Sequence, residues 1–404
     1  MTTAFAPAMH PVPSPAFFDA GFIAPLAGGR SRPTRAAPDF ECLVQSLHSL
    51  AARINVGDAA ADTALRGLLT ELQCHPDPRC TGLYVFASAL AQRLAGSAQE
   101  VANLYLRRFE VPQIQLFNLL GRHVPMARLA TGIANDAMTQ AIAGQSHPTL
   151  IDVGIGTGRQ IAGLLESLAA AGLLPQRLTV IGVEPSAAAL AEAHATLSAS
   201  ATRLGVDCTF HGYACSAEAL TAADWQAIVA ACSAPPVINA AFALHHIADD
   251  DQGQEQRNAV LRQLRALEPK CLVLSEPDVD HLEPRFLRRF HNCFAHFSAV
   301  FGVLDALPLA QADRDALKVG FFGREIADIL GTPEPLRSER HESAVAWFQR
   351  LAATGFVAQR PTAALPVSAH PSVTAALCGA RAVIHAGDEP VVSIFVAVPR
   401  PLPA

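Results

Sequence analysis

Three glycines at alternate positions, Gly154, Gly156 and Gly158, follow the apolar run 149–153 and open a helical stretch. Such glycines let the backbone turn tightly and leave no Cβ between the main chain and a bound ligand. Dinucleotide sites use the spacing GxGxxG and seat a pyrophosphate on the helix N-terminus. Here the spacing is GxGxG, and Asp152 stands just ahead of it, where a carboxylate would repel phosphate. A negative charge at this point suits a phosphate-free cationic ligand, and S-adenosylmethionine, with its ammonium and sulfonium groups, is such a molecule. The plain alternative is a strand-to-helix link with no ligand. An NAD-linked oxidoreductase is disfavoured by both the spacing and Asp152.

Further chemistry collects at the ends of the next apolar runs. Glu184 closes the second and is placed to accept the two hydroxyls of a ribose. Ser216 or Glu218, after the third, can read an adenine edge or can serve a helix start. Asn239 and the pair His245 and His246 follow the fourth, and Glu276, Asp278, Asp280 and His281 the fifth. Ligands of open α/β sheets sit outside the carboxyl ends of strands. His245, Glu276 or His281 can therefore orient an acceptor hydroxyl and take its proton near neutral pH. Methyl transfer asks little more than in-line placement, which fits the lack of one outstanding nucleophile.

These residues need a scaffold, and the sequence supplies one. Apolar residues recur at three- and four-residue intervals from Phe40 to Ala143, predicting several amphipathic helices. From Pro148 onward, short apolar runs at 149–153, 178–183, 208–213, 237–242 and 271–275 alternate with helical stretches. Continuous apolar strands alternating with helices predict a doubly wound α/β domain with a parallel sheet. Helices are expected at roughly 284–304, 311–318, 323–331 and 340–354, and closing strands at 356–359 and 391–398. The expected division is a Pro- and Ala-rich leader over 1–38, a helical cap over 39–144, and the sheet domain over 145–404 with a helical insertion near 284–331.

Composition narrows the function classes. Of 404 residues, 50% are hydrophobic and 16% charged, with a formal net charge of -6; this is globular rather than disordered. Without a basic run, a phosphate-neutralising grip on nucleic acid is disfavoured. The most apolar stretch, 227–247, is broken by Ser233, Pro235, Pro236 and Asn239, so no membrane span is expected. The start of the chain does not read as a secretory signal, so the expected location is cytoplasmic. Nine cysteines lie scattered without CxxC pairing. Cys74, His75 and Cys80 lack a second ligand pair, and no metal is expected.

Five runs stand in order: 130–137, containing Asn135; 239–245; Glu276–His281 leading into Phe286–Phe290; Phe297–Phe301; and Glu339-Arg340-His341-Glu342 with Trp347, Arg350, Gly355 and Phe356. Together they resemble the GRAS family across residues 40–398. The resemblance implies a Rossmann-type methyltransferase sheet with an N-terminal helical cap and a helical insertion after the fifth strand. GRAS domains are known chiefly as plant transcriptional regulators, and bacterial relatives are thought to methylate small molecules. The intact Asp152, Gly154, Gly156 and Gly158 resemble the bacterial branch. The chain departs from the family at its end, where Phe395–Pro399 stops short of the usual terminal motif containing Trp. On the family pattern, Arg340, His341 and Glu342 open the helix carrying Trp347 and face the substrate cavity or tie cap to sheet. Asn135 approaches the cofactor or caps a helix. The implied activity is S-adenosylmethionine-dependent methylation of a small hydroxyl- or carboxyl-bearing molecule; the alternative is a non-catalytic ligand-sensing or protein-interaction module. Expected partners are a small-molecule substrate and, as an allowed assembly, a homodimer.

Overall fold

The computed structural model describes residues 39–96, 113–247, 255–362 and 365–401; the leader expected at 1–38 lies outside them. The apolar runs form the strands β1 (Thr149–Val153), β2 (Arg177–Val183), β3 (Asp207–Tyr213), β4 (Val237–Ala241) and β5 (Cys271–Pro277), all mutually parallel. The sheet runs in the order β3-β2-β1-β4-β5-β9-β8-β7. The last stretch of chain supplies β6 (Phe356–Gln359), β7 (Val373–Cys378), β8 (Arg381–Ala386) and β9 (Glu389–Pro399). β9 is antiparallel to β5 on one side, and to β6 and β8 on the other. The long final strand thus closes a mixed sheet. The β7–β8 hairpin, turning through Gly379 and Ala380, was not expected from the sequence.

Period-two alternation divides the core. Leu150, Leu178, Val180, Val237 and Val273 share one cluster with Ile161, Leu164 and Leu165 and with Leu190 and Leu197. Ile151, Ile181, Ile238, Leu272 and Leu274 share the other with Val260, Leu261, Trp347 and Leu351. Both faces of β1, β2, β4 and β5 are covered, which is why those strands read as mostly apolar runs, while β3 at the sheet edge is largely exposed.

The helices Phe40–Asn55, Ala61–Cys74 and Cys80–Ala95 each bury a leucine stripe. Their neighbours include the insertion after β5. A Cβ on Gly331 would lie 3.0 Å from the Ala89 carbonyl oxygen, and one on Gly82 would lie 2.9 Å from the Phe301 ring. Cap and insertion are therefore in direct contact, and Asp39–Ala404 is a compact unit. The insertion consists of the helices Phe286–Ala306, Gln311–Asp315 and Gly323–Gly331, with a π-helical turn at Ala316–Phe322. The helix expected from 340 begins instead at Ala344. Ser343 and the Asp278 carboxylate cap it by accepting from the amides of Ala346 and Ala344, and these caps fix its start. Residues 337–343 stay extended as a result. No helix among the described residues is long and apolar enough to cross a membrane.

Candidate functional site

The three glycines after β1 do different jobs. All adopt positive φ, at +77°, +54° and +74° in order. At Gly154 a Cβ would stand 2.6 Å from the Ala243 Cβ, and at Gly158 3.0 Å from the Ala193 Cα. Those two positions are bare so that the β4 loop and the helix Ala187–Leu204 can approach. At Gly156 nothing lies within 4 Å. Gly154 and Gly156 line a cavity of about 640 Å³, and Gly158 does not. The expectation that all three are bared for a ligand is thus met in geometry by Gly156 alone.

Asp152 differs more. It is 2% exposed and is absent from the cavity wall. Strand alternation places it on the face of Leu150, where its Oδ1 accepts from Asn239 Nδ2 at 2.7 Å, between paired positions of β1 and β4. Burial pushes its carboxyl up to about 7; the Asn239 hydrogen bond works against the shift and the Glu184 charge adds to it. Gln160 Nε2 donates to Asn239 Oδ1 at 3.4 Å, and Asn135 Nδ2 donates to the Gln160 carbonyl at 3.2 Å. Asp152, Asn239 and Asn135 thus form a buried polar seam beneath the glycine turn rather than contacts for a ligand. Asn135, within the helix Pro125–Ile142, neither caps a helix nor reaches the cavity.

Glu184 and Ser216 do reach it. Glu184 Oε2 accepts from the Gly156 amide at 3.2 Å and Oε1 from the Ser186 amide at 2.9 Å, so the carboxylate rests on the glycine turn. The Ser216 hydroxyl makes no helix cap; Glu218 lines the cavity beside it.

The same cavity extends to a cluster of imidazoles and carboxylates. His245 Nδ1 lies 2.5 Å from Glu276 Oε2, while Glu276 Oε1 accepts from the Leu244 amide at 2.8 Å. Burial alone would lower the His245 pKa, but the Glu276 carboxylate, aided by Glu339, raises it to about 10. The pair with Glu276 favours the imidazolium form of His245, which donates to that carboxylate. His245 Nε2 is 3.4 Å from Glu339 Oε2, His246 Nδ1 is 3.5 Å from Glu339 Oε1, and His341 Nε2 is 3.2 Å from Glu339 Oε2. His341 Nδ1 in turn meets His281 Nδ1 at 2.9 Å. Burial, with the nearby His245, lowers His341 to about 4, so this imidazole is neutral. Glu276 and His281 do not line the cavity; they hold His245 and His341 from behind and are positioning residues.

The extended segment before Ala344 makes this convergence possible. Residues two apart share a side of an extended chain, so Glu339 and His341 both face the cavity, and Arg340 faces away to the carbonyls of Arg337 and Glu334. The Arg340 amide donates to the His245 carbonyl, and the His281 amide to the His341 carbonyl. Arg257, 1% exposed, clamps the crossing by donating to the carbonyls of His245, Ile247 and Arg340 and pairing with Glu342 at 3.0 Å. Trp347 is wholly buried against Arg257 and off the cavity, which makes it core rather than a substrate contact. Of the four residues assigned to substrate, His341 alone lines the cavity.

Three features escaped the sequence reading. Glu325 and Glu339 line the cavity, and burial together with the Glu339 charge keeps the Glu325 carboxyl well above the usual range. The π-helical turn carries Gly320, Phe321 and Phe322 to the wall; such turns gather at functional sites. Phe242, at φ +54°, holds a left-handed conformation at the end of β4 and also lines the cavity, a strain that concentrates at such sites.

The GRAS domain family model matches residues 43–365. The chain belongs to the GRAS family. Relatives within it include GRAS family protein RAD1 from Medicago truncatula, 31% identical over 260 residues covering 60% of this chain and 47% of the relative. The DELLA protein GAI from Gossypium hirsutum is 27% identical over 240 residues, covering 57% and 43%. This GRAS chain therefore spans about half the length of these plant proteins. The crystal structure of SCL7 from Oryza sativa aligns at a TM-score of 0.70 and 23% identity, over 88% of this chain and 99% of that one. The mixed, mostly parallel sheet of a Rossmann-like fold is thus shared with a GRAS protein. Within that frame the cavity joins the glycine turn to Glu339 and His341.

Proposed function

We propose that this GRAS domain binds a small molecule in the cavity, takes S-adenosylmethionine against Gly156, Glu184 and Ser216, and passes a methyl group to a hydroxyl- or carboxyl-bearing acceptor beside His245, Glu339 and His341. The observation that carries the reading is that one continuous cavity is lined by both sets of residues. Its volume of about 640 Å³ falls in the ~300–1,000 Å³ span of small-molecule and cofactor sites. Gly156 leaves backbone open to the cavity, and the Glu184 carboxylate is placed for ribose hydroxyls. Ala243, two residues before His245, lies against Gly154, so the two sets are neighbours.

S-adenosylmethionine, when bound, supplies an already activated methyl group. The chain's residues have the lesser tasks of orientation and exclusion of water. The His245 imidazolium donates toward an acceptor oxygen at the end of the cavity that Glu339 and His341 line. In this reading His245 orients the acceptor, and Glu276 and His281 position His245 and His341 from behind. The intact turn favours the bacterial, methylating type of GRAS domain.

The second reading is a ligand-sensing module without turnover. Membership of the GRAS family, known chiefly for plant transcriptional regulators, supports it. Calorimetric titration with S-adenosylhomocysteine separates the outcomes: one site per chain is expected, with binding lost in Gly156→Arg, whose side chain fills the approach. Binding without methyl transfer to any acceptor favours the sensor; a folded chain with no binding defeats the cofactor reading.

A further inference from the structure

At the Glu339 cluster, buried polar atoms meet at close range without aligned hydrogen bonds. Glu339 Oε2 and His341 Nε2 are 3.2 Å apart, yet neither makes an aligned hydrogen bond. His341 is 1% exposed, and both residues face the cavity. Glu325 completes the set: one ligand-type atom from each of Glu325, Glu339 and His341 lies within 4.8 Å of the others.

We propose that Glu325, Glu339 and His341 bind a divalent first-row metal ion. Two carboxylate oxygens and an imidazole nitrogen suit such an ion rather than calcium or magnesium, which take oxygen alone. With bonds near 2.0–2.2 Å, tetrahedrally arranged donors stand roughly 3.3–3.6 Å apart, so the 3.2 Å between Glu339 Oε2 and His341 Nε2 is already the edge of a coordination shell. The ring is also held as a ligand should be. His281 meets His341 Nδ1 at 2.9 Å, fixing the ring and leaving Nε2 toward Glu339, the outer-shell support typical of metal histidines. Three protein ligands leave positions open to the cavity, as in catalytic rather than structural sites. An acceptor hydroxyl or carboxylate oxygen is the group that would take one of them.

His245 and His246 form a second triad with Glu339, but His245 is already paired with Glu276. The three ligands share no hydrogen bond with Gly156 or Glu184, so the site stands or falls apart from the cofactor reading.

The test uses the full chain, dialysed against EDTA and titrated with ZnCl2 by calorimetry and with CoCl2 by visible absorption. One ion per chain is expected, with the spectrum of nitrogen and oxygen ligands. Glu325→Gln and His341→Gln should each weaken binding beyond the ~10–100-fold that loss of an outer-shell partner causes, in variants whose circular dichroism matches the parent. Half-buried Glu325 makes the milder variant should His341→Gln fail to fold. No binding by the folded chain overturns the proposal. So does affinity unchanged in Glu325→Gln, or an intense thiolate-to-cobalt band placing the ion on Cys80 and His75, 3.2 Å apart.

Discussion

Replacing His245 by Ala is expected to destabilise the chain by about 3–5 kcal/mol, the cost of leaving one half of a buried ion pair without its partner. Glu276 is fully buried, and its acceptors are met by the His245 ring and the Leu244 amide alone among the hydrogen bonds of the described residues. Alanine takes away the ring and gives Glu276 nothing in exchange. His245→Gln keeps a donor of similar reach and should recover part of the loss. Urea unfolding of the three proteins measures this directly: Ala well below Gln, and Gln below the parent, is the expected order. Equal midpoints for Ala and the parent would mean that Glu276 is satisfied in another way.

The second large effect is on pH dependence. Asp152, with its carboxyl raised to about 7 in the fold, returns to about 3.9 when unfolded. Between those values the native state holds a proton that the unfolded state has released, so stability falls as pH rises. The contribution is intact below pH ~4 and is lost by pH ~7, and the drop is on the order of 4 kcal/mol. Asp152→Asn keeps an oxygen for Asn239 Nδ2 and cannot ionise. Its unfolding free energy should change less than the parent's between pH 4.5 and 7.5, with the variant gaining ground on the parent at the upper end. Parallel profiles would show that the seam under the glycine turn carries no such charge penalty.

Asp152 also shows how much of the site was legible in the sequence. The glycine spacing marked the turn correctly, and the apolar runs located β1 to β5 to within a residue or two, because strands covered on both faces are mostly apolar. The direction of Asp152 was readable too. It lies two residues after Leu150, on the same face, and that face is core. The charge drew attention to a ligand when alternation pointed inward.

Other misses had no local signal. Glu325 sits on an amphipathic insertion helix with nothing to set it apart from a solvated acid, and the fold alone brings it to Glu339. Trp347 and Arg340 followed the family pattern into the site, yet their helix starts at Ala344 because Asp278, far away in sequence, caps it. In the hairpin β7–β8, the edge strand β7 buries only alternate residues, and the apolar run Ala382-Val383-Ile384 of β8 is too short to separate from a loop. Glu276 and His281 were recognised as chemistry by type, and only packing reveals that they stand behind His245 and His341.

We propose that the nucleoside of S-adenosylmethionine lies in the cavity with its ribose on Glu184 and its amino-acid portion over Gly156. A crystal structure of the full chain soaked with S-adenosylhomocysteine tests it most directly. The predicted result is adenosyl density between Glu184 and Ser216, with the sulfur directed toward the His245 and Glu339 end. Density for the ligand elsewhere on the chain, with Gly156 still covered by Glu184 and the cavity unfilled, would contradict it.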